Sequence, residues 1–141
     1  MKKFIILIIS AVLIYSQSCD SIKEPIYETN YKFINETGQN VCIVLFPMDG
    51  YFPDSIDFKN SDFKELSFSN IGGKLFPFSS LDSSIVKYND TTYIEFVRGV
   101  NAFDSFLNRD NWNEIENTGY RYYYEFIFNE EDYQEALNND N

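Results

Sequence analysis

From Ile26 to Ile34 the chain reads IYETNYKFI, with Tyr27, Thr29, Tyr31 and Phe33 on one face and Glu28, Asn30 and Lys32 on the other. Alternation with a period of two predicts a strand with one buried face. Asn35-Glu36-Thr37-Gly38 follows, which is turn chemistry. NVCIVLF, from Asn40 to Phe46, is apolar on both faces and predicts a central strand. Pro47 to Pro53 is expected to be a loop. FKELSFS alternates again through Leu66 and Phe68 until Gly72-Gly73 breaks it. SIVKY and TTYIEFV lie on either side of Asn89-Asp90-Thr91, which predicts a hairpin. YRYYYEFIF places Tyr120, Tyr122, Tyr124, Phe126 and Phe128 on one face and Arg121, Tyr123, Glu125 and Ile127 on the other.

Two short helices are expected near the C-terminus. Asn111, with Glu114 three residues on, reads as a capping box before WNEIE. Asn129 and Asp132 repeat the signature, with acids in the first turn and Phe128 and Tyr133 at the hydrophobic-staple positions. About six short strands, turn signals near every ten residues and no long helix predict a mainly β chain. The expected architecture is a single antiparallel β-sandwich of the immunoglobulin-like class, with one or two short helices near the C-terminus. A parallel α/β sheet would need long helices between strands, and the pattern lacks them.

The chain opens differently. Lys2 and Lys3 precede an apolar run of twelve residues from Phe4 to Tyr15, then Ser16, Gln17, Ser18 and Cys19. That run is short of the roughly 20 apolar residues a spanning helix needs. It reads as a secretory signal cut before Cys19. The organisation expected is a signal peptide at 1–18, a lipidated tether at 19–25, a β-sandwich domain at 26–137 and a frayed tail at 138–141. The cysteine after small residues resembles the lipobox of bacterial lipoproteins, with Ser16 in place of the usual leucine, as in the relaxed lipoboxes of Bacteroidetes. That resemblance implies diacylation of the Cys19 thiol and a lipid-anchored place in the cell envelope, foremost at the outer membrane, on its periplasmic face or at the cell surface. Two or more acyl chains hold a protein on a membrane almost permanently, at roughly 0.8 kcal/mol per buried CH₂. The alternative is an ordinary secretory signal, with Cys19 as an incidental N-terminus that pairs with Cys42. With a lipid on Cys19, Cys42 is the one remaining thiol, and its setting in VCIVLF predicts a small buried hydrophobe.

Cleavage leaves 123 residues carrying 9 basic and 22 acidic side chains, a net charge of −13. Such a surface repels nucleic acid. It also favours solubility, and a basic partner would find it attractive. The 14 Phe, 11 Tyr and single Trp fit pleated, half-buried surfaces and argue against disorder away from the ends.

The C-terminal half, IEFVRGVNAFDSFLNRDNWNEIE followed by an aromatic strand and FNEEDYQEAL, resembles a group of small uncharacterised lipoproteins of Bacteroidetes. The resemblance is carried by Phe103-Asp104, Trp112-Asn113-Glu114-Ile115, Tyr124 to Phe126 and Glu131-Asp132-Tyr133. Upstream, Tyr51-Phe52-Pro53-Asp54-Ser55 is similar to the family's tyrosine-proline-aspartate loop, with Phe52 inserted. The family commonly continues past the last helix into another strand, whereas this sequence stops at Asn141. The resemblance implies a compact β-rich fold and a cell-envelope address, and no activity.

Candidate chemistry is sparse. With no His, neither a Ser-His-Asp nor a Cys-His arrangement can be assembled. Asp54, Asp57, Glu95 and Asp104 are the acids placed for a carboxylate pair, and nothing in the spacing selects two of them. Asp57, Asp62 and Asp82 lack the spacing of a calcium loop, so no metal site is expected. No cofactor is implied, and no catalytic residue is assigned. Asn35-Glu36-Thr37 and Asn89-Asp90-Thr91 match the glycosylation sequon but sit at turns, where Asn and Thr serve local geometry. The strand aromatics are expected in the core, and Trp112 as a plug over one end of the sandwich. Tyr51 and Phe52, between Gly50 and Pro53, are the candidate binding loop, with exposed rings. The expected function is a non-catalytic binding or accessory module, held at the membrane by its N-terminal lipid and contacting an envelope protein or a glycan. The alternatives are an acidic immunity or inhibitor protein for a basic toxin or enzyme and, behind it, a carboxylate-dependent hydrolase.

Overall fold

The computed structural model describes residues 24–47, 52–89, 91–102 and 104–139, so Cys19 and Tyr51 lie outside the described residues. The strands are β1 (Ile26–Asn35), β2 (Val41–Pro47), β3 (Ser55–Phe58), β4 (Phe63–Ile71), β5 (Leu81–Tyr88), β6 (Thr92–Val97), β7 (Asn113–Asn117) and β8 (Arg121–Phe128), followed by helix α1 (Glu130–Asn139). They form two four-stranded sheets, ordered β4-β1-β8-β7 and β3-β2-β5-β6. The chain is a mainly β sandwich with one C-terminal helix. One pairing departs from the antiparallel rule: β1 and β8 run parallel, from Glu28 opposite Arg121 to Asn35 opposite Phe128. Parallel neighbours need a long crossover, and here most of the domain separates the two strands.

Local chemistry explains most elements. NVCIVLF is central as expected, with β3 on one side and β5 on the other. β5 and β6 form the predicted hairpin, with Asn89 at φ 51°, a left-handed position that Asn tolerates. β4 stops where Gly72 and Gly73 take φ of 97° and 143°. The N-cap of α1 is as read: Asn129 Oδ1 accepts from the Glu131 N–H at 2.7 Å, and Asp132 Oδ2 accepts from the Asn129 N–H at 2.7 Å. The helix continues through Asn139, two residues into the stretch expected to fray.

The helix expected at WNEIE is instead strand β7. Asn111 does not cap it; its Nδ2 donates to the Ser105 carbonyl at 2.8 Å. Asn108 caps a 3₁₀ turn at Arg109–Asn111, and Glu114 turns towards the Tyr124 hydroxyl at 2.7 Å. Pairing with β8 overrides a local capping pattern that five residues could not have sustained alone.

Both sheets close on one apolar cluster. Its centre is Phe78, on a 3₁₀ turn at Pro77–Ser80, whose ring meets those of Tyr31, Phe33, Phe52, Phe76, Phe106 and Trp112 at centroid distances of 5.1–5.7 Å. Trp112 stacks on Phe78 and donates its indole N–H to the Phe106 carbonyl at 2.8 Å. The tryptophan is therefore a central core ring with its polar atom satisfied. The Arg98 guanidinium binds the carbonyls of Leu81 and Phe78, tying down the turn that delivers Phe78.

Candidate functional site

β1 begins at Ile26 opposite Ile71, so the chain enters the sandwich at the end where β4 finishes. Phe52, shortly before β3, the Gly72–Phe76 turn and the Pro77–Ser80 turn gather at this end. They build an apolar cleft of about 340 Å³ walled by Phe52, Phe68, Leu75, Phe76 and Pro77, with Ser69, Ser79 and Ser80 also lining it.

Each wall has a local cause. Phe68 is an inward position near the end of β4, opposite Thr29. Pro77 starts the 3₁₀ turn, where its fixed φ suits the first position. The hydroxyls of Ser79 and Ser80 donate to the carbonyls of Phe76 and Pro77, at 2.7 and 2.9 Å, and so consume the turn's local acceptors. The Tyr31 hydroxyl donates to the Leu75 carbonyl from beneath. Burial pushes the Tyr31 phenol above its ordinary range, and the neighbouring Tyr124 adds to the shift, so this tie stays protonated.

Phe52 corrects the sequence expectation. Its ring is 7% exposed, against Phe68 at 5.7 Å and Phe78 at 5.6 Å. Pro53 does keep the segment out of a strand, but the next layer in is a dense aromatic core that the ring can reach. Phe52 is thus core on one side and cleft wall on the other. Tyr51, its partner in the candidate loop, is among the residues not described.

Among the described residues the cleft's lining holds no carboxylate, amine or thiol. Its walls can take an apolar group, and the hydroxyls of Ser79 and Ser80 in its lining are already engaged by turn carbonyls. The acids considered for catalysis are scattered. Asp57 on β3 and Glu95 on β6 occupy opposite edges of one sheet, three strand spacings or about 14 Å apart, beyond the separation of a glycosidase pair. Asp104 is on another cavity wall, beside Asp132 and Glu135 of α1. Burial raises the Asp132 pKa, with Glu135 and Glu131 adding to the shift against the Asn129 N–H. Among the described residues no group of three or more His, Cys, Asp or Glu could hold a metal ion.

Cys42 is a second correction. It lies on the outer face of β2, half-buried, opposite Asp57 and Lys87, because strand alternation sends Val41, Ile43 and Leu45 inward instead. It lines a broader depression of about 450 Å³ with Asp57, Lys59, Asp62, Lys64 and Lys87. Its lysines and aspartates are near balance, as on an ordinary solvated face.

Two polar clusters outside the cleft are structural. Lys74 Nζ lies 3.3 Å from Glu114 Oε2 and 3.0 Å from the Tyr124 hydroxyl, and pins the Gly-Gly turn to β7 and β8. The Tyr124 hydroxyl, then Asn117 and Lys74, lower the Glu114 pKa; the hydrogen bond with Tyr124 chiefly raises that of Lys74. At the far end Asn35 is fully buried. Its Nδ2 donates to the carbonyls of Gln39 and Lys59 at 2.8 and 3.0 Å, and its Oδ1 accepts from the Thr37 N–H and hydroxyl at 3.1 and 2.8 Å. Both amide hydrogens of this sequon asparagine are committed to turn geometry.

Sequence reasoning missed Leu75, Phe76 and Pro77. The GKLFPF run was a visible signal, since its apolar residues follow a glycine break and belong to no alternating strand. Compared with protein-family models, curated proteins and solved structures, the chain matches none of them.

Proposed function

We propose that this is a lipid-anchored, non-catalytic binding module of the bacterial cell envelope, and that it takes an apolar side chain or ring of an envelope partner into the cleft of Phe52, Phe68, Leu75, Phe76 and Pro77. The observation that carries the reading is the composition of that cleft: five apolar walls around a volume within the usual range of ligand sites, with no titratable lining group among the described residues. The anchor rests on the Lys2-Lys3 start, the twelve-residue apolar run and Cys19, which resemble a lipoprotein signal. Residues 19–25 span at most about 25 Å when extended, so the cleft end of the sandwich works close to the lipid surface.

The test has two arms. An acyl-chain probe should label the wild type and fail to label Cys19→Ser; an unlabelled wild type sinks the anchor. Leu75 is 37% exposed, so Leu75→Glu places a charge in the cleft at small cost to the fold. Proteins captured from envelope extract by the wild type should be lost with Leu75→Glu, and unchanged capture sinks the cleft.

A further inference from the structure

The four sheet edges are not alike. β3 is four residues long. β6 lies against α1. β7 is five residues long, carries Glu114 and Glu116, and is bulged between them. These are the usual ways a sandwich avoids edge-to-edge pairing. β4 has none of them. It is nine residues long and pairs with β1 in unbroken register, and among the described residues its other edge has no backbone partner.

Its outward face carries Phe63, Glu65, Ser67, Ser69 and Ile71, with the two apolar residues at the ends, 54% and 59% exposed. Each belongs to an apolar row on the outer face of the sheet. Phe63 is level with Ile34 of β1 and Ile127 of β8, and Ile71 is level with Ile26 of β1, itself 62% exposed. Both rows run to the open edge of β4 and stop there.

We propose that β4 pairs antiparallel with β4 of a second copy of this chain about a two-fold axis at Ser67, making one continuous eight-stranded sheet. Ser67 is the midpoint of the strand, so this register uses all nine residues. It sets Phe63 opposite the partner's Ile71 at both ends and joins the interrupted rows into Ile127-Ile34-Phe63-Ile71-Ile26. It sets Glu65 opposite Ser69, whereas a two-fold at residue 65 would oppose two glutamates. Opposite residues on paired strands lie about 4.5–5.5 Å apart at Cβ, close enough for each apolar end pair to touch. The self-complementary pattern selects a second copy over an unrelated strand.

Ser67 lies outside the apolar cleft, and its side chain is exposed, donating to Asn30 Oδ1 at 2.6 Å. That position allows a charge test on full-length protein. Two differently tagged copies are co-expressed and one is purified from detergent extract. Wild-type copies should co-purify. A Ser67→Glu pair and a Ser67→Lys pair should each lose co-purification several-fold, because like charges then face each other across the axis. A Ser67→Glu copy with a Ser67→Lys copy should recover it, which local damage to the Asn30 contact could not produce. The proposal is overturned if wild-type copies do not co-purify, if the like-charged pairs co-purify as wild type does, or if the mixed pair fails to recover.

Discussion

Replacing Phe52 with alanine separates a buried ring from an exposed one. The side chain is 7% exposed and packs its ring on Phe68 and Phe78. Removing a fully enclosed Phe costs about 3–5 kcal/mol, of which transfer accounts for about 1.5–3 and the cavity left behind for the rest. Phe52 borders a cleft open to solvent, so water can enter the space and relieve part of the cavity cost. The expected loss is therefore about 2–3 kcal/mol, below that of Phe33→Ala, whose ring is fully buried among Phe78, Phe106 and Trp112. Urea unfolding followed by Trp112 emission and by far-ultraviolet dichroism reads the difference. With a urea slope of about 1–3 kcal/mol/M, the midpoint should fall by about 0.7–3 M. Trp112 is the single tryptophan and is buried, so its emission should shift to the red on unfolding. A loss under about 0.5 kcal/mol would mean that the ring sits in solvent, and the cleft would lose its inner wall.

Asn35→Ala should destabilise by about 1–3 kcal/mol, because it strands the buried Thr37 N–H and frees the Gln39 and Lys59 carbonyls that the amide now satisfies; a melting temperature equal to wild type would contradict this. Asp132→Asn keeps an acceptor for the Asn129 N–H and removes a charge whose pKa the fold raises. A raised carboxyl contributes stability that is fully present below its unfolded pKa of about 3.9 and is lost as pH rises through the folded value. Asp132→Asn should thus be at least as stable as wild type at pH 7 and lose that margin near pH 3; the opposite trend in melts at the two pH values refutes the assignment.

The sandwich was legible because its signals are local. Alternation at 26–34 and 120–128 fixes that Tyr31, Phe33, Tyr124, Phe126 and Phe128 go inward, whereas Tyr120, expected in the core, lies before β8 begins and is 57% exposed; the Gly72-Gly73 and Asn89 turns fix where strands stop. What was not legible depends on contacts between distant segments. The parallel pairing of β1 with β8 joins residues about ninety positions apart and leaves no trace in either strand. β7 reads locally as a capped helix, and only β8 beside it makes it a strand. Phe52 shows the same limit at the site. Pro53 correctly marks a break in strand pairing, but it carries no information about the depth of the segment, which Phe68 and Phe78 decide. Cys42 was misplaced for a simpler reason. A strand apolar on both faces still has an inner and an outer face, and Val41, Ile43 and Leu45 hold the inner one.

The most direct test of the binding reading uses the protein in intact cells. A photoreactive benzoylphenylalanine is placed at Leu75 in the cleft, and at Val100, which is 71% exposed and not a lining residue, as the comparison. After irradiation of intact cells, position 75 should give a discrete adduct that is absent at position 100 and that disappears when Ser79→Trp, a rim substitution, fills the cleft. Equal adducts at the two positions, or none at position 75, would contradict the account.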